Sequence, residues 1–521
     1  NRTGPKCANV QLIKKGSCNL RTIKILFFNT IILLLSSVIL QIINMFFSIF
    51  ISNTIGEEAI GVFSLVMSVY AFGITLASAG INISATRVVS EELACNNEIG
   101  AKQAARRCLF FSLIFGICAS LIFFFLADFI TIHCLHSRIS KNVIYLICIA
   151  LPFISMSSAI NGYFTAVRRV YKNAIAKFGE EFVKIFFTAI LLKLFMPDGI
   201  NYACYSLILA DVISEVTSFL HLYYLYLRDK HGALVESRYK DLDSYNKRIL
   251  RITIPVALTS YLRSGLSTAK QLIIPFSLQK SGMNSSNSLI SYGIVNGMAM
   301  PIILFPVSLI ISFSSLLVPE FSRCYTQEKY SKIKLISVII LTCTLIFAII
   351  IAILIFIFAD NLSMWIYHKS EISKYLRILS PLVIVMYLDI VIDSILKGLD
   401  AQVDVMAVNI FDCLVSISFI YFLVPILGFS GYIISIFISE IINFSLSGYK
   451  LLRILKKFDL SPNLKMRKTE PVPNAHFFNY IILLKHELIY HLDFLQLQNV
   501  FHFQNYIYNL LFLQVLFLFY M

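Results

Sequence analysis

The sequence predicts an all-α protein that crosses a membrane many times, with two six-helix lobes around a central cavity. Three observations support this fold class. Hydrophobic residues make up 58% of the chain and charged residues only 14%, whereas soluble proteins average about 25% charged. Apolar runs of about 20 residues, the length that crosses a bilayer as a helix, recur along the chain. Motifs of the first half also return in the second half.

Twelve apolar segments qualify as membrane spans. The first run, from Ile25, is too long for a signal peptide and lacks a cleavage site, so we expect it to remain as the first span. When each cation at a span end is counted with its nearest connection, 33 Lys and Arg residues lie in the N-terminal segment and every second connection, and 7 lie in the others. This bias places both ends of the twelve-span body in the cytoplasm. The predicted spans are residues 25–51, 59–85, 109–130, 142–166, 174–196, 201–227, 249–278, 289–318, 335–359, 374–397, 402–424 and 430–449.

The two halves of this body are related by an internal repeat. The residues around Asp128 recur around Asp360, and those around Glu215 recur around Glu440, at an offset between 225 and 233 residues. Six spans is an even number, so both halves enter the membrane in the same direction, as in a parallel repeat. The predicted units are a cytoplasmic N-terminal segment at 1–24, an N-lobe at 25–227, a cytoplasmic linker at 228–248, a C-lobe at 249–449, and a basic segment with an atypical apolar tail at 450–521.

The tail differs from the body in composition. Residues 474–521 contain no glycine and one alanine. The apolar patches at 477–484 and 506–521 are shorter and rougher than the twelve spans. They belong either to a thirteenth or fourteenth helix or to low-complexity or frame-shifted sequence, and both alternatives stay open.

Two cations fall inside the seventh predicted span. Arg263 and Lys270 are seven residues apart, almost two helical turns, so both face the same side. A cation at the bilayer centre costs roughly 2.5–3.5 kcal/mol on insertion scales. Ser267 and Gln271 keep this region polar. We predict that this face binds phosphate, Arg in bidentate geometry and Lys as a point charge; the alternative is pairing with an acid on a neighbouring helix, for which Asp389, Asp393, Asp412 and Glu440 are available.

The first span carries an uncharged polar stripe at helical spacing, formed by Ser37, Gln41, Asn44 and Ser48. The stripe either hydrogen-bonds a head group or sugar in the cleft or bonds neighbouring helices. Aligning the first and seventh spans sets Leu40 against Arg263 and Phe47 against Lys270. We therefore expect the cavity cations to occur in one lobe only.

Three acids inside spans are candidates for coupling transport to a proton or Na⁺. Asp211 and Glu215 lie one turn apart on the sixth span, and Glu440 occupies the equivalent place on the twelfth. The alternative is that they pair with a cation such as Lys184. Two further acids, Asp389 and Asp393, are expected to neutralise Lys397.

Prolines and glycines are expected to interrupt helices seven and eight and to permit a gate to move; they are Pro255, Pro275, Gly293, Gly297, Pro301 and Pro306. On the outer side, Glu57 and Glu58 are expected to be solvated.

Several classes of function are disfavoured. The net charge of +15 is assigned to cytoplasmic loops rather than to nucleic-acid binding. The chain has no Walker loop and no Gly-x-Ser-x-Gly elbow, and its outer connections are too short for an enzyme site. Eleven cysteines without CxxC spacing do not suggest a disulfide framework or a metal site. We expect no cofactor and no enzymatic activity.

Two long stretches carry a family likeness. They are Tyr261–Gly282 with Ser291–Ser322, and Ile55–Glu92, in which Gly56, Gly61, Gly80 and Arg87 fall on the pattern. They resemble the stage V sporulation protein B family, part of the multidrug/oligosaccharidyl-lipid/polysaccharide exporters, over about residues 22–455. The resemblance implies alternating access and flipping of an undecaprenyl-linked sugar, the spore-cortex peptidoglycan precursor in sporulation members. It also implies that Arg263, Lys270 and Arg87 hold the diphosphate.

Three functions remain open. A flippase for a lipid-linked oligosaccharide needs unpaired cations in the cleft. A cation-coupled multidrug exporter of the same fold needs acids and aromatic residues there instead. A non-transporting scaffold for cell-wall synthases needs all intramembrane charges paired within the chain. The expected partners are the lipid-linked substrate, membrane lipids and, for the scaffold, the synthases, at the cell membrane.

Overall fold

Helices account for every regular element in the part of the chain that the computed structural model describes, residues 20–95, 97–135, 139–195, 199–229 and 242–459. The ends of the chain, including the apolar tail, and most of the linker lie outside these residues. The structure does not test the predictions made for them. Within the described ranges, two π-helical segments, Ile130–Cys134 and Ile294–Ala299, accompany the α-helices. The helices are α1 (Leu20–Ser78), α2 (Ile81–Ala94), α3 (Glu98–Phe125), α4 (Ala127–Phe129), α5 (Lys141–Ala166), α6 (Val170–Phe195), α7 (Ile200–Leu227), α8 (Leu242–Lys280), α9 (Ser285–Gly293), α10 (Met300–Leu304), α11 (Val307–Thr326), α12 (Tyr330–Ile357), α13 (Ala359–Tyr367), α14 (Glu371–Leu379), α15 (Leu382–Gly398) and α16 (Gln402–Asp459).

Within these ranges, eight helices, or nine if the bent pair α14–α15 counts as one span, are long and apolar enough to cross a membrane. Two of the eight are double, because α1 leaves helical geometry at Gly56 and α16 leaves it at Gly428. Helices α6 and α8 are not among the eight, since charged side chains interrupt their apolar runs. The predicted all-α membrane fold is confirmed, while the count of twelve spans and the orientation stay predictions.

The backbone repeats along with the sequence. Residues with positive φ are few and mark turns, and they are uncommon at residues other than glycine. Their recurrence at matched positions in the two halves is therefore informative. Three pairs of positive-φ residues are separated by 226, 232 and 229 residues, all inside the predicted offset: Gly56 with Gly282, Arg168 with Asp400, and Gly199 with Gly428. The repeat therefore includes the turns as well as the helices.

Glycines let α1 and α9 pack backbone to backbone. A Cβ atom on Gly61 would lie 2.3 Å from the carbonyl oxygen of Leu289, and one on Gly293 would lie 2.3 Å from the carbonyl oxygen of Glu57. Both distances are far below van der Waals contact, so no larger side chain fits without moving a helix.

The expected interruption of helix seven is wrong. Pro255 and Pro275 lie inside α8, which continues past both of them. Membrane helices tolerate proline because neighbouring groups can satisfy the carbonyl that it leaves unbonded. The interruption of helix eight is confirmed: the π-helical segment contains Gly297, α10 has Pro301 in its first turn, and α11 begins after Pro306.

We predict that Gly61→Ala and Gly293→Ala each lower the apparent melting temperature of the purified protein in detergent. The added methyl group must push α1 away from α9, and overpacking of this kind typically costs about 1–3 kcal/mol. Gly448→Ala is the matched control, because a Cβ atom at Gly448 meets nothing within 4 Å. Equal melting temperatures for all three variants would contradict the close packing.

Candidate functional site

Hydrogen bonds to α1 fix the rotation of α8 about its axis. The Tyr261 hydroxyl donates to the carbonyl of Leu76 at 2.9 Å, and the Thr268 hydroxyl donates to the carbonyl of Ser68 at 3.0 Å. Arg263 and Lys270 each follow one of these residues by two positions, about 200° around a helix. The two cations therefore point away from α1, towards α15 and α16.

Lys270 reaches a carboxylate only through a serine. Its ammonium donates to the hydroxyl of Ser439 at 3.4 Å, and that hydroxyl donates to Asp412 at 2.6 Å. The Ser416 hydroxyl lies 2.5 Å from the same oxygen of Ser439. Glu440 also interacts electrostatically with Lys270. Lys270 thus faces two acids, but no salt bridge joins it to either of them in the described ranges.

Arg263 is exposed and interacts electrostatically with Asp393 and Cys413. No carboxylate among the described residues lies within ion-pair distance of its guanidinium. Neither Arg263 nor Lys270 therefore forms the direct ion pair that the alternative required. The acids considered for that pair were Asp389, Asp393, Asp412 and Glu440.

The acids on α15 have partners of their own. The Asn443 amide donates to Asp389 at 2.7 Å, and the Asn409 amide donates to Asp393 at 3.5 Å. The ammonium of Lys397 lies 3.7 Å from Asp393. The expected neutralisation of Lys397 is confirmed for Asp393, whereas Asp389 bonds an amide on α16 instead.

A second charged cluster joins α6 to α7. Lys184 forms an ion pair with Asp211 at 2.5 Å, as the pairing alternative predicted. Lys177 pairs with Glu180, which also accepts a hydrogen bond from Ser218 at 2.9 Å. The buried Glu181 and the half-buried Glu215 complete the cluster, and Glu215 interacts electrostatically with both lysines.

The sequence reasoning missed three members of this cluster, Lys177, Glu180 and Glu181. Their spacing with Lys184 carried the signal, because residues three, four and seven apart share one helix face. The expectation that the cavity cations occur in one lobe only stays a prediction. The lysines of α6 in the first half are paired with acids.

A cavity of about 130 Å³ lies beside this cluster, between α1, α6 and α7. Asn44 and Ser48 of the predicted polar stripe line it, together with Lys184 and Asp211. Gln41 is half-buried and is not among the lining residues. Ser37 lies elsewhere, with its hydroxyl 3.0 Å from that of Ser312 on α11.

The alignment of the first and seventh spans needs a shift of three residues. The matched breaks at Gly56 and Gly282 give an offset of 226. At this offset Asn44 corresponds to Lys270, and Ser37 corresponds to Arg263. An uncharged polar residue on the first span therefore stands at the place of each cation on the seventh.

The remaining predicted binding residues lie apart from one another. Arg87 pairs with Glu91 one turn along α2 at 3.2 Å, with 65% of its side chain exposed. The side-chain oxygen of Gln271 accepts a hydrogen bond from the Tyr292 hydroxyl at 3.2 Å. Ser267 is half-buried on α8, between the two cations.

Two polar contacts join α1 to the last turn of α13 and to the connection that follows it, on the predicted outer side. The Asn53 amide donates to the carbonyl of Ile366 at 2.7 Å, and Lys369 pairs with Glu57 at 2.7 Å. The side chain of Glu57 is only 17% exposed, so the expectation that it is simply solvated is wrong. These contacts hold the two halves of the chain together at this side.

Residues 26–325, more than half of the chain, match the family described as "Polysaccharide biosynthesis protein". The chain belongs to this family. Residues 255–422 also match the MatE family. These matches confirm the resemblance that the sequence suggested.

Two curated relatives from Bacillus subtilis (strain 168) are 22% identical to the chain. "Stage V sporulation protein B" aligns over 77% of this chain and 79% of its own length, and "Sporulation protein YkvU" aligns over 72% and 82%. Among solved structures, the inward-facing conformation of a multidrug resistance MATE family transporter of the MOP superfamily has a TM-score of 0.67 at 15% identity. It covers 81% of this chain and 95% of that chain.

These findings establish a multi-pass membrane protein with the two-lobe fold of the MATE transporters. We refer to α1–α7 as the N-lobe and to α8–α16 as the C-lobe. The Lys184–Asp211 pair then lies in the N-lobe, Arg263 and Lys270 lie in the C-lobe, and the Glu57–Lys369 pair joins the lobes.

We predict that reversing either charge of the Glu57–Lys369 pair opens the predicted outer side. Glu57→Lys or Lys369→Glu places two like charges where an ammonium and a carboxylate now lie 2.7 Å apart, and like charges repel. In a chain whose native cysteines have been replaced, the buried Ile60 is changed to Cys and labelled with a membrane-impermeant thiol reagent. Either single reversal should raise the labelling rate several-fold, and the double reversal should restore it.

The control is the pair Asp360 and Arg377, which lies within the C-lobe. Reversing Asp360 should leave the labelling rate unchanged. Unchanged labelling in both single variants of the Glu57–Lys369 pair would show that this pair does not close the outer side.

Proposed function

We propose that the protein flips an undecaprenyl-diphosphate-linked sugar across the cell membrane by alternating access between its lobes. The observation that carries the proposal is the cation face of α8. Arg263 and Lys270 lie within α8, the predicted seventh span, and in the described ranges neither has a carboxylate at ion-pair distance. Intramembrane cations are costly, so those that lack an internal partner are expected to serve a ligand.

A diphosphate suits these two side chains. Guanidinium binds phosphate oxygens in bidentate geometry, and ammonium supplies a compact point charge. Seven residues correspond to a rise of roughly 10 Å along a helix. Two long side chains of this kind can converge on one anion from that separation. Gln271, Ser267 and Arg87 are proposed as further contacts of the head group, and Gln41 and Asn44 as contacts of the sugar.

The names of the relatives support a role in sporulation, for which the peptidoglycan precursor of the spore cortex is the proposed cargo. In this account both ends of the twelve-span body lie in the cytoplasm. Asp211 is already paired with Lys184, so Glu215 and Glu440 remain the candidates for coupling to a cation. Gly297, Pro301 and Pro306 lie at the breaks of helix eight and are proposed as the gate, with Pro275 on α8 beside it.

A cation-coupled multidrug exporter is the second candidate, because the acids on α15 and α16 favour it. Asp389 and Asp412 accept hydrogen bonds from neutral side chains, so they lack a direct ion pair in the described part of the chain. A scaffold is less favoured than either transporter. It needs every intramembrane charge to be neutralised within the chain, which Arg263 does not satisfy.

We predict that Arg263→Ala combined with Lys270→Ala slows flipping at least tenfold. A hydrogen bond to a charged group contributes about 1.5–3 kcal/mol, and tenfold corresponds to about 1.4 kcal/mol. The measurement uses proteoliposomes with a fluorescent polyprenyl-diphosphate sugar, whose outer-leaflet fraction is quenched by an impermeant reductant. The charge-conserving pair Arg263→Lys with Lys270→Arg should retain more of the rate than the double-alanine protein, because it keeps both positive charges while losing the bidentate geometry at position 263.

Lys332→Ala removes a cation that pairs with Glu320 at 2.9 Å, and it serves as the control for the loss of positive charge. Wild-type flipping by a correctly inserted double-alanine protein would refute the role of the cations. Drug efflux that depends on Asp389 or Asp412, without lipid flipping, would establish the exporter instead.

A further inference from the structure

We propose that the cavity between α1, α6 and α7 in the N-lobe binds one sugar ring of the cargo. This inference rests on the proposed function, since it assigns a second contact to the same lipid-linked substrate. The site is separate from the cations of α8 and centres on Thr188, Lys184 and Asp211.

The size of the cavity limits its ligand. Its volume is about 130 Å³, whereas sites for drug-sized ligands enclose about 300–1,000 Å³. The cavity is therefore smaller than a drug site, and we assign it a single sugar ring.

Thr188 carries an unused hydroxyl at the wall of this cavity. Thr188 is fully buried and lines the cavity, and among the described residues its hydroxyl has no hydrogen-bond partner. Threonines in helices usually donate to the carbonyl one turn earlier. Seven others in the described helices do so: Thr54, Thr75, Thr131, Thr165, Thr217, Thr259 and Thr326. Burying a hydroxyl without a partner costs about 1–3 kcal/mol, so Thr188 is placed at a cost that a ligand hydroxyl would remove.

The other lining groups match a carbohydrate. The ammonium of Lys184 donates and the carboxylate of Asp211 accepts, and the two are 2.5 Å apart. A sugar offers adjacent hydroxyls that each donate and accept, so it can use both groups at once. Asn44 adds an amide, and Phe47 supplies an apolar wall for the C–H face of the ring.

The charges of the cluster disfavour an anion at this place. Lys184 is already neutralised by Asp211, so this place offers a phosphate no unpaired cation among its lining residues. A diphosphate is therefore expected at α8 instead, which separates the two parts of the cargo.

The repeat places the two sites at the same depth. Asn44 corresponds to Lys270 at the offset of 226 that relates Gly56 to Gly282. A parallel repeat about an axis along the membrane normal puts equivalent residues at equal height. A diphosphate held at Lys270 in the C-lobe can thus present its attached sugar to Asn44 in the N-lobe.

The test measures lipid affinity with the full-length protein in nanodiscs. The probes are undecaprenyl diphosphate and undecaprenyl diphosphate carrying one N-acetylhexosamine. Wild-type protein should bind the sugar-bearing lipid about tenfold more tightly. Thr188→Val should abolish most of this preference, leave the affinity for undecaprenyl diphosphate unchanged, and leave the melting temperature equal or higher, because it removes an unpaired buried hydroxyl.

Thr131→Val is the matched control, since Thr131 is buried but its hydroxyl bonds the carbonyl of Ala127 at 2.8 Å. Ser48→Leu fills the cavity and should act like Thr188→Val. Equal affinity of the wild type for both lipids would overturn the sugar site and leave the diphosphate site intact. Binding of neither lipid would refute the proposed function itself. Stabilisation by Na⁺ that Thr188→Val removes would make the cavity a cation site, which overturns the sugar site.

Discussion

Charge inside an apolar slab has to be neutralised, and the arrangement of these helices depends on how that is done. In the N-lobe, Lys184 contacts Asp211 directly. In the C-lobe, Ser439 stands between Lys270 and Asp412, so the ammonium is held near a carboxylate without pairing with it. Removing one partner of a buried pair typically costs 3–5 kcal/mol. Lys270 has no direct ion pair to break, so an anionic ligand can take the place of Ser439 without this cost. Lys270 is therefore suited to bind an anion transiently.

The two lobes repeat their turns but not their charges. In the N-lobe, Lys184 of α6 is paired with an acid, whereas the first helix of the C-lobe carries Lys270 at the place where the N-lobe has Asn44. The same fold therefore offers a neutral polar cavity on one side and a cationic face on the other. An amphipathic cargo with a sugar and a diphosphate needs both.

Hydropathy and cation bias were sufficient to predict the all-α membrane fold, because the bilayer imposes both patterns on the sequence directly. The candidate site was only partly predictable. Arg263 and Lys270 stood out because charge inside a span is rare. Glu180 and Glu181 lie near the predicted cytoplasmic end of their span, where charged residues are common and do not stand out. The Glu57–Lys369 contact joins residues 312 positions apart, and no local pattern encodes such a pairing. The prolines led to the wrong prediction that helix seven is interrupted, because α8 stays helical through Pro255 and Pro275.

The most direct measurement is a cryo-electron microscopy structure of the protein in nanodiscs with bound undecaprenyl-diphosphate sugar. The account predicts diphosphate density within hydrogen-bond distance, about 3 Å, of both Arg263 and Lys270. Lys270 should then have left Ser439, with the sugar directed towards the N-lobe. Diphosphate density elsewhere, with Arg263 and Lys270 in direct contact with Asp393 and Asp412, would contradict the account.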